Sequence, residues 1–558
     1  MKRTSMLLLI LALLGLPGGA LVSHATPAPS VPPWPIAARP DALRLRIGQA
    51  GLVQVTPSQL AVAGWNLATL NRTQIALWYA GVEQPLTVMP TGDLQWIARP
   101  TRSRYHADAV YWLTQETRAG LRGVNVFAPG VPLAWEEDTR YESTLAAPNG
   151  DHWFATEITA RDPTRQVLTA TLTLPAAIPS GTPLQLDLAT TAFGNHQLTL
   201  TTNGIPLPSI AWVGQGPQTV STRVPALPAG LLTIIITAQS TLPILLDQLT
   251  LPTITPPFDI LPQTPEVTPG SGYDLSRGPA PSQFGADDLI VSVPTLSASL
   301  APLVSAHQTL GRQVALLDVQ AAYDAFSYGE RDPEAIRQLI RLSQTWTPAP
   351  RLVLLAGAGS VRMRVATGES DPTLIPPYLI DVDPKKGEVA CDTCYTRLNS
   401  GDVRTQTVPD LPIGRLPIRT TAEADVVVSK TVTALTHRPM GAWQWHALLL
   451  SDNDTEANGT PDPAGPFTAT LDAVAAQLAP GLRQTRLVYD PTGQAGEPNV
   501  AKLRCQLFRA LDGGSATDSA CPAPAGESGA ALWVYVGHGS PWQWAATSPD
   551  AAVPYLWY

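Results

Sequence analysis

The chain has 558 residues, 44% of them hydrophobic and only 15% charged, with 56 prolines. At roughly 150 residues per domain it is too long for a single domain and calls for three or four. A net charge of −9 without any Lys/Arg block excludes nucleic acid as the partner, because phosphate binding needs a basic footprint.

Residues 1–25 read as a signal peptide. Lys2 and Arg3 give the charged start, Met6 to Leu16 the apolar stretch, and Ser23-His24-Ala25 a small-x-small cleavage site. The apolar run is shorter than the roughly 20 residues a membrane span requires, so an exported mature chain without a membrane span is expected. Residues 26–145 form a mixed, β-rich region. After a Pro-rich start, "ALRLRIG" (42–48) alternates Leu43, Leu45 and Ile47 as a half-buried strand does. "TPSQLAVAG" (56–64) carries a Thr cap, Pro at the first helical position and a closing Gly, which predicts a short helix. "IALWYAG" (75–81) and "AVYWLT" (109–114) are strand-like.

From 146 to 252 every signal is β: "VLTATLTLP", "LQLDLATT", "QLTLTTNGIPLP", "LLTIIITA" and "ILLDQLTL". Asn203-Gly204 between alternating runs marks a hairpin, and the spacing predicts a β-sandwich. Residues 253–286 are rich in Pro and Gly and read as a linker.

Beyond the linker, over 287–558, the grammar changes. Continuous apolar runs "DLIVSV" (288–293), "QVALLD" (313–318), "RLVLLAG" (351–357), "HALLLSDND" (446–454), "RLVYD" (486–490) and "ALWVYVG" (531–537) alternate with helical segments. The helix capped by Asp332 places Ile336, Leu339 and Ile340 on one face; others are predicted at 467–479 and 499–511. Such strands predict one parallel sheet covered on both sides. Chemistry in open α/β sheets gathers at the carboxyl ends of strands. Gly357-Ala-Gly-Ser360, Ser451-Asp-Asn-Asp454 and Gly537-His-Gly-Ser540 lie just past such ends.

Of eight histidines, His538 stands apart. Flanking glycines let the backbone turn sharply there, so the imidazole can serve as general acid and base with the Gly539 amide as oxyanion donor. His106, His152, His196, His307, His437 and His446 have no grouped partners and read as structural; His24 falls within the signal. The four cysteines, Cys391, Cys394, Cys505 and Cys521, are disulfide candidates in an exported chain. Cys391-Asp-Thr-Cys394 lacks the second ligand pair of a zinc site. No Gly-x-Gly-x-x-Gly or Walker segment supports nucleotide binding.

"VYVGHGSPWQWA" (534–545) resembles the Gly-His-Gly-Ser-x-x-x-Trp signature of gingipain-type cysteine peptidases, which have a caspase-like fold. Further segments follow in order: "QAAYDAFSYGERDPEAIRQLI" (320–340), "RLVLLAGAGS", "CDTCYTRL", "VPDLPIGRLPIRTTAEADVVVSK" (408–430) and "LLLSDND". The resemblance covers about 285–558. It implies an α/β caspase-like domain acting on protein or peptide substrates, with His538 as catalytic histidine and the Gly539 amide as oxyanion donor. It also implies an acidic residue orienting the histidine, for which Asp452 is the candidate and Asp454 the alternative. No cofactor is implied; Asp452, Asp454 and Asp462 offer oxygen ligands for a structural calcium, without EF-hand spacing.

Two departures stand out. "PDPAGPF" (461–467) offers only Asp462 where arginine-cleaving members carry a pocket carboxylate. The nucleophilic cysteine, expected a few dozen residues after the histidine, is missing: twenty residues follow His538, none of them cysteine. The reading is therefore a C-terminally truncated, inactive peptidase chain. The alternative is a secreted, noncatalytic binding or adhesion protein with a degenerate α/β domain, stacking sugars on Trp153, Phe154 or Trp212 of the sandwich.

Overall fold

The computed structural model describes residues 32–48, 51–98, 103–106, 108–122, 133–174, 177–252, 264–271, 285–363, 372–383, 387–406, 408–437, 441–456, 459–490, 500, 503–505, 507, 529–540 and 543–545. The expected signal peptide, Cys521 and most of the helix at 499–511 lie outside these residues. The described residues divide into two compact units, one within Ser23–Thr436 and one within His437–Tyr558.

In the first unit, β1 (Leu43–Ile47) buries Leu43, Leu45 and Ile47 and turns its arginines outward, as its alternation requires. The short helix α1 (Pro57–Val62) starts with a reciprocal capping box between Thr56 and Gln59, a device that contributes about 1 kcal/mol. β1 pairs with Ala109–Gln115, which pairs with Ile75–Tyr79. Its other edge takes Glu266–Pro269, a strand from within the stretch read as linker. Val267 supplies the apolar side chain that packs on this core, which explains why the segment pairs rather than hangs free. Among the described residues, Arg44 of β1 reaches buried Asp324 at 2.9 Å, fastening this domain to the α/β layer of the same unit.

The sandwich region is one antiparallel, eight-stranded sheet enclosing one apolar core. It begins with β2 (Leu133–Glu136), thirteen residues earlier than the expected boundary at 146, because β2 pairs with β3 (Ile244–Leu251). The strand Pro183–Thr202 runs through the whole sheet. Asn203 and Gly204 both take positive φ (47° and 81°) in the expected hairpin turn. Trp153 and Phe154 are buried, and Trp212 stacks on His196 at 5.1 Å, so packing accounts for the sugar-stacking candidates.

The α/β portion departs from the single sheet expected from the sequence. β4 (Asp288–Ser292), β5 (Val314–Asp318), β6 (Leu352–Ala356) and β7 (Ile413–Leu416) form a parallel sheet in the order β5-β4-β6-β7. Leu289 and Val291 face the helices Val319–Phe326 and Pro333–Ser343, while Ile290 faces Ser297–Thr309 and Thr421–Thr436. A second parallel sheet, in the other unit, has β8 (His446–Ser451) flanked by β9 (Arg483–Val488) and β10 (Leu532–Val536). β7, which lies in the "PIGRLP" segment, pairs along the edge of β6. Arg415 within β7 holds that arrangement by donating to the Gly357 and Ile375 carbonyls and to Asp392. Within the second sheet, Leu448 and Leu450 pack on Leu487, Leu503 and Leu507; Ala447 and Leu449 pack on Val534, Val536 and the helix α2 (Phe467–Ala475). Each fully buried leucine contributes about 2 kcal/mol.

Candidate functional site

Parallel pairing of β8 with β10 brings the two strand ends together: Ser451 sits opposite Val536. Asp452 and Gly537 come next along the chain, so the register itself delivers Asp452 to His538. The Asp452 amide donates to the Val536 carbonyl at 2.9 Å, continuing the ladder one step past the strand. Its carboxylate is fully buried and takes the Nδ1–H of His538 at 3.0 Å and the His538 amide at 3.2 Å on Oδ2. The Asn453 amide donates to the other oxygen at 2.9 Å.

Gly537 is required here. A Cβ on it would lie 2.5 Å from the Cβ of Asp452 and 2.5 Å from the Tyr535 hydroxyl. Tyr535 donates to the His538 carbonyl at 2.7 Å, and its ring stacks on Trp544, so the strand after the histidine is tied back by aromatic packing. Burial raises the Tyr535 pKa, keeping the phenol a donor.

The His538 imidazole is partly open, its side chain 37% exposed, with the Phe467 ring edge-on at 5.1 Å. Its Nε2 faces the Asp462 carboxylate at 3.6 Å. The pKa is raised, first by the hydrogen bond to Asp452 and against burial, with the charges of Asp462, Asp452 and Glu456 adding to the rise. This arrangement fixes the Nδ1–H tautomer, leaves Nε2 as the base and favours the imidazolium once formed.

Asp452 thus meets the histidine, whereas Asp454 does not. Asp454 accepts the amides of Phe467 (2.6 Å) and Thr468 (3.0 Å) and the Thr468 hydroxyl, capping α2. Gly539 is exposed and pairs with Trp544 across a short ribbon. Asp462 was noted in the sequence for its place near a specificity pocket and as a calcium-ligand candidate; its approach to the histidine, 76 residues away, has no local sequence signal. Gly357–Ser360 follows β6, in the sheet of the first unit. His152, His196, His307 and His446 are hydrogen-bonded within the fold, as structural histidines are. Cys391 and Cys394 form a disulfide, and Cys505 is also disulfide-bonded.

Fold and pair together define a class: an α/β protein carrying a carboxylate-held imidazole at the carboxyl edge of a parallel sheet. Residues 282–554 match the model of peptidase family C25. In fold, the chain is similar to dimeric latent PorU from Porphyromonas gingivalis, with a TM-score of 0.50 and 16% identity over 73% of this chain and 50% of that one. The chain therefore spans about half the length of PorU. A carbohydrate-binding module of family 36, in complex with calcium and xylotriose, matches 21% of this chain and 92% of its own at 13% identity, with a TM-score of 0.16. A family 35 module from Cellvibrio japonicus matches 25% of this chain and 98% of its own at 13% identity and a TM-score of 0.16. Neither score carries a shared fold. None of the curated proteins matches the chain. Among the described residues no helix is long and apolar enough to cross a membrane.

Proposed function

We propose that this chain carries the proton relay of an exported, gingipain-type cysteine endopeptidase that cleaves protein or peptide substrates. The observation supporting it is the His538–Asp452 pair at the tips of adjacent parallel strands. In the reaction, Nε2 of His538 takes the proton of a cysteine thiol, and the thiolate attacks the peptide carbonyl carbon. The tetrahedral oxyanion is held by the Gly539 amide. Nε2 then returns the proton to the departing amine, leaving an acyl-enzyme that water hydrolyses. Asp452 keeps the ring in the required tautomer, and the scheme uses no cofactor.

The thiol does not come from Cys391, Cys394 or Cys505, whose sulfurs are in disulfides. We infer that residues 1–558 by themselves do not turn over peptide. A fluorogenic peptide mixture and a thiol-directed peptide inhibitor test this on the purified chain: no hydrolysis and no stoichiometric labelling are expected. Labelling that disappears in His538→Ala would overturn the inactivity. The peptidase reading itself is tested by titrating unlabelled peptides while following the His538 ring by NMR. Shifts confined to His538 and its neighbours are expected; silence at saturating peptide, with shifts on adding oligosaccharides, would favour the binding-protein alternative.

A further inference from the structure

A second set of carboxylates lies in the sandwich region and takes no part in the chemistry above. Oxygen atoms of Glu136, Asp138 and Asp151 all lie within 4.8 Å of one another. Glu136 ends β2, Asp138 follows it, and Asp151 sits in the loop that returns over β3, where its Oδ1 accepts the Trp153 amide at 2.9 Å.

A further acid, Asp247, stands in the middle of β3. Its side chain is fully buried, and its Oδ1 has no hydrogen-bond partner. Its Oδ2 receives the Asn149 side-chain amide from the same loop at 3.3 Å. Sheet register explains how an acid comes to this place. Leu188 pairs with Leu246 and Asp187 with Gln248, so Asp247 is the extra residue of a β-bulge, a device that re-aims a side chain. The neighbouring Gln248 donates to Glu136 at 3.3 Å, which sets Asp247 beside the three-acid group.

An unpaired, buried carboxylate among other carboxylates is costly unless a cation joins it. Glu136, Asp151 and Asp138 are among the acids whose negative charge acts on Asp247.

We propose that Glu136, Asp138, Asp151 and Asp247 form a calcium site that pins the 136–151 segment to β3. An all-oxygen set of hard, anionic donors selects among magnesium, calcium and manganese. Magnesium keeps most of its waters and takes one or two carboxylates, whereas calcium accepts six to eight oxygens in flexible geometry, so four carboxylates fit calcium. The site differs in place and in residues from the Asp452–Asp462 stretch, and it stands whether or not the peptidase reading does.

The experiment uses the whole chain, stripped with EDTA. Millimolar calcium is expected to raise the thermal midpoint by several degrees, with magnesium at the same concentration leaving it unchanged. Terbium is expected to luminesce on tryptophan excitation, since Trp135 and Trp153 adjoin the site, and calcium should quench it by displacement. Asp247→Asn is expected to keep or raise the midpoint of the stripped protein, lose the calcium response and weaken terbium binding roughly tenfold or more. If that variant fails to fold, Asp138→Asn, at a half-buried position, must show the same loss. No calcium shift and no terbium signal in the wild-type chain would overturn the site. An equal magnesium shift would overturn the assignment to calcium. A calcium response that survives in the variants would overturn the location.

Discussion

The Nδ1 of His538 lies 3.0 Å from the Oδ2 of Asp452, although 86 residues separate the two in the chain. Two parallel strands meeting in register hold them together, and the buried carboxylate is what raises the imidazole pKa. Asp452→Asn should therefore lower the His538 pKa, all the more because the opposing effect of burial stays. An NMR titration of the His538 ring reads this directly, and an unchanged pKa would remove Asp452 from the orienting role. The same pair makes stability depend on pH. Because the folded pKa is raised, the contribution is fully present below the ordinary histidine value of about 6.5 and is lost as pH rises through the raised value. In Asp452→Asn that window of pH dependence should close.

Gly537 is the hinge of this geometry. Any Cβ there meets the Asp452 Cβ and the Tyr535 hydroxyl at 2.5 Å, neither of them the loose end of a long chain. Gly537→Ala is expected to cost about 1–3 kcal/mol by overpacking, measured by urea denaturation. It should also drive His538 from Asp452, so the pKa falls as it does in Asp452→Asn. A variant of wild-type stability would mean that the turn relaxes freely.

How much of this was legible in the sequence follows from the range of the forces involved. The alternation of Leu43, Leu45 and Ile47, the Thr56 cap and the Asn203-Gly204 turn are local, and each appears in the structure as the residues imply. The histidine between glycines was visible for the same reason, since backbone freedom is a property of neighbouring residues. Strand order is not local. Nothing near Leu352–Ala356 announces that it will pair with Ile413–Leu416 rather than with a later apolar run, and so one sheet was expected where two exist. Glu266–Pro269 was hidden by Pro265 before it and Pro269 at its end, which an edge strand tolerates and a central strand does not. Asp452 and Asp454 are two residues apart and of one type; only three-dimensional pairing separates orienter from cap.

That separation is itself testable. Asp454 accepts two amides at the start of α2, and removing such a cap costs about 1 kcal/mol. Asp454→Ala should lower the stability of the unit holding the second sheet by that amount while leaving the His538 pKa in place. If instead the imidazole pKa falls as far as in Asp452→Asn, the two carboxylates share the orienting role and the assignment made from geometry is wrong.

The disulfides set the remaining expectation. Cys391 and Cys394, three residues apart, enclose a very short loop on the segment that Arg415 holds through Asp392. A loop this short removes little entropy from the unfolded chain, so Cys391→Ser with Cys394→Ser should cost about 2 kcal/mol and leave the fold intact. Iodoacetamide applied before reduction, followed by peptide mass spectrometry, should leave Cys391, Cys394 and Cys505 unmodified, and reduction should expose them. A sulfur locked in a disulfide cannot form the thiolate that attacks a carbonyl. If one of the three is alkylated in the native chain, faster than a model thiol and only while His538 is intact, the nucleophile is present after all. Peptide hydrolysis would then be expected from these 558 residues.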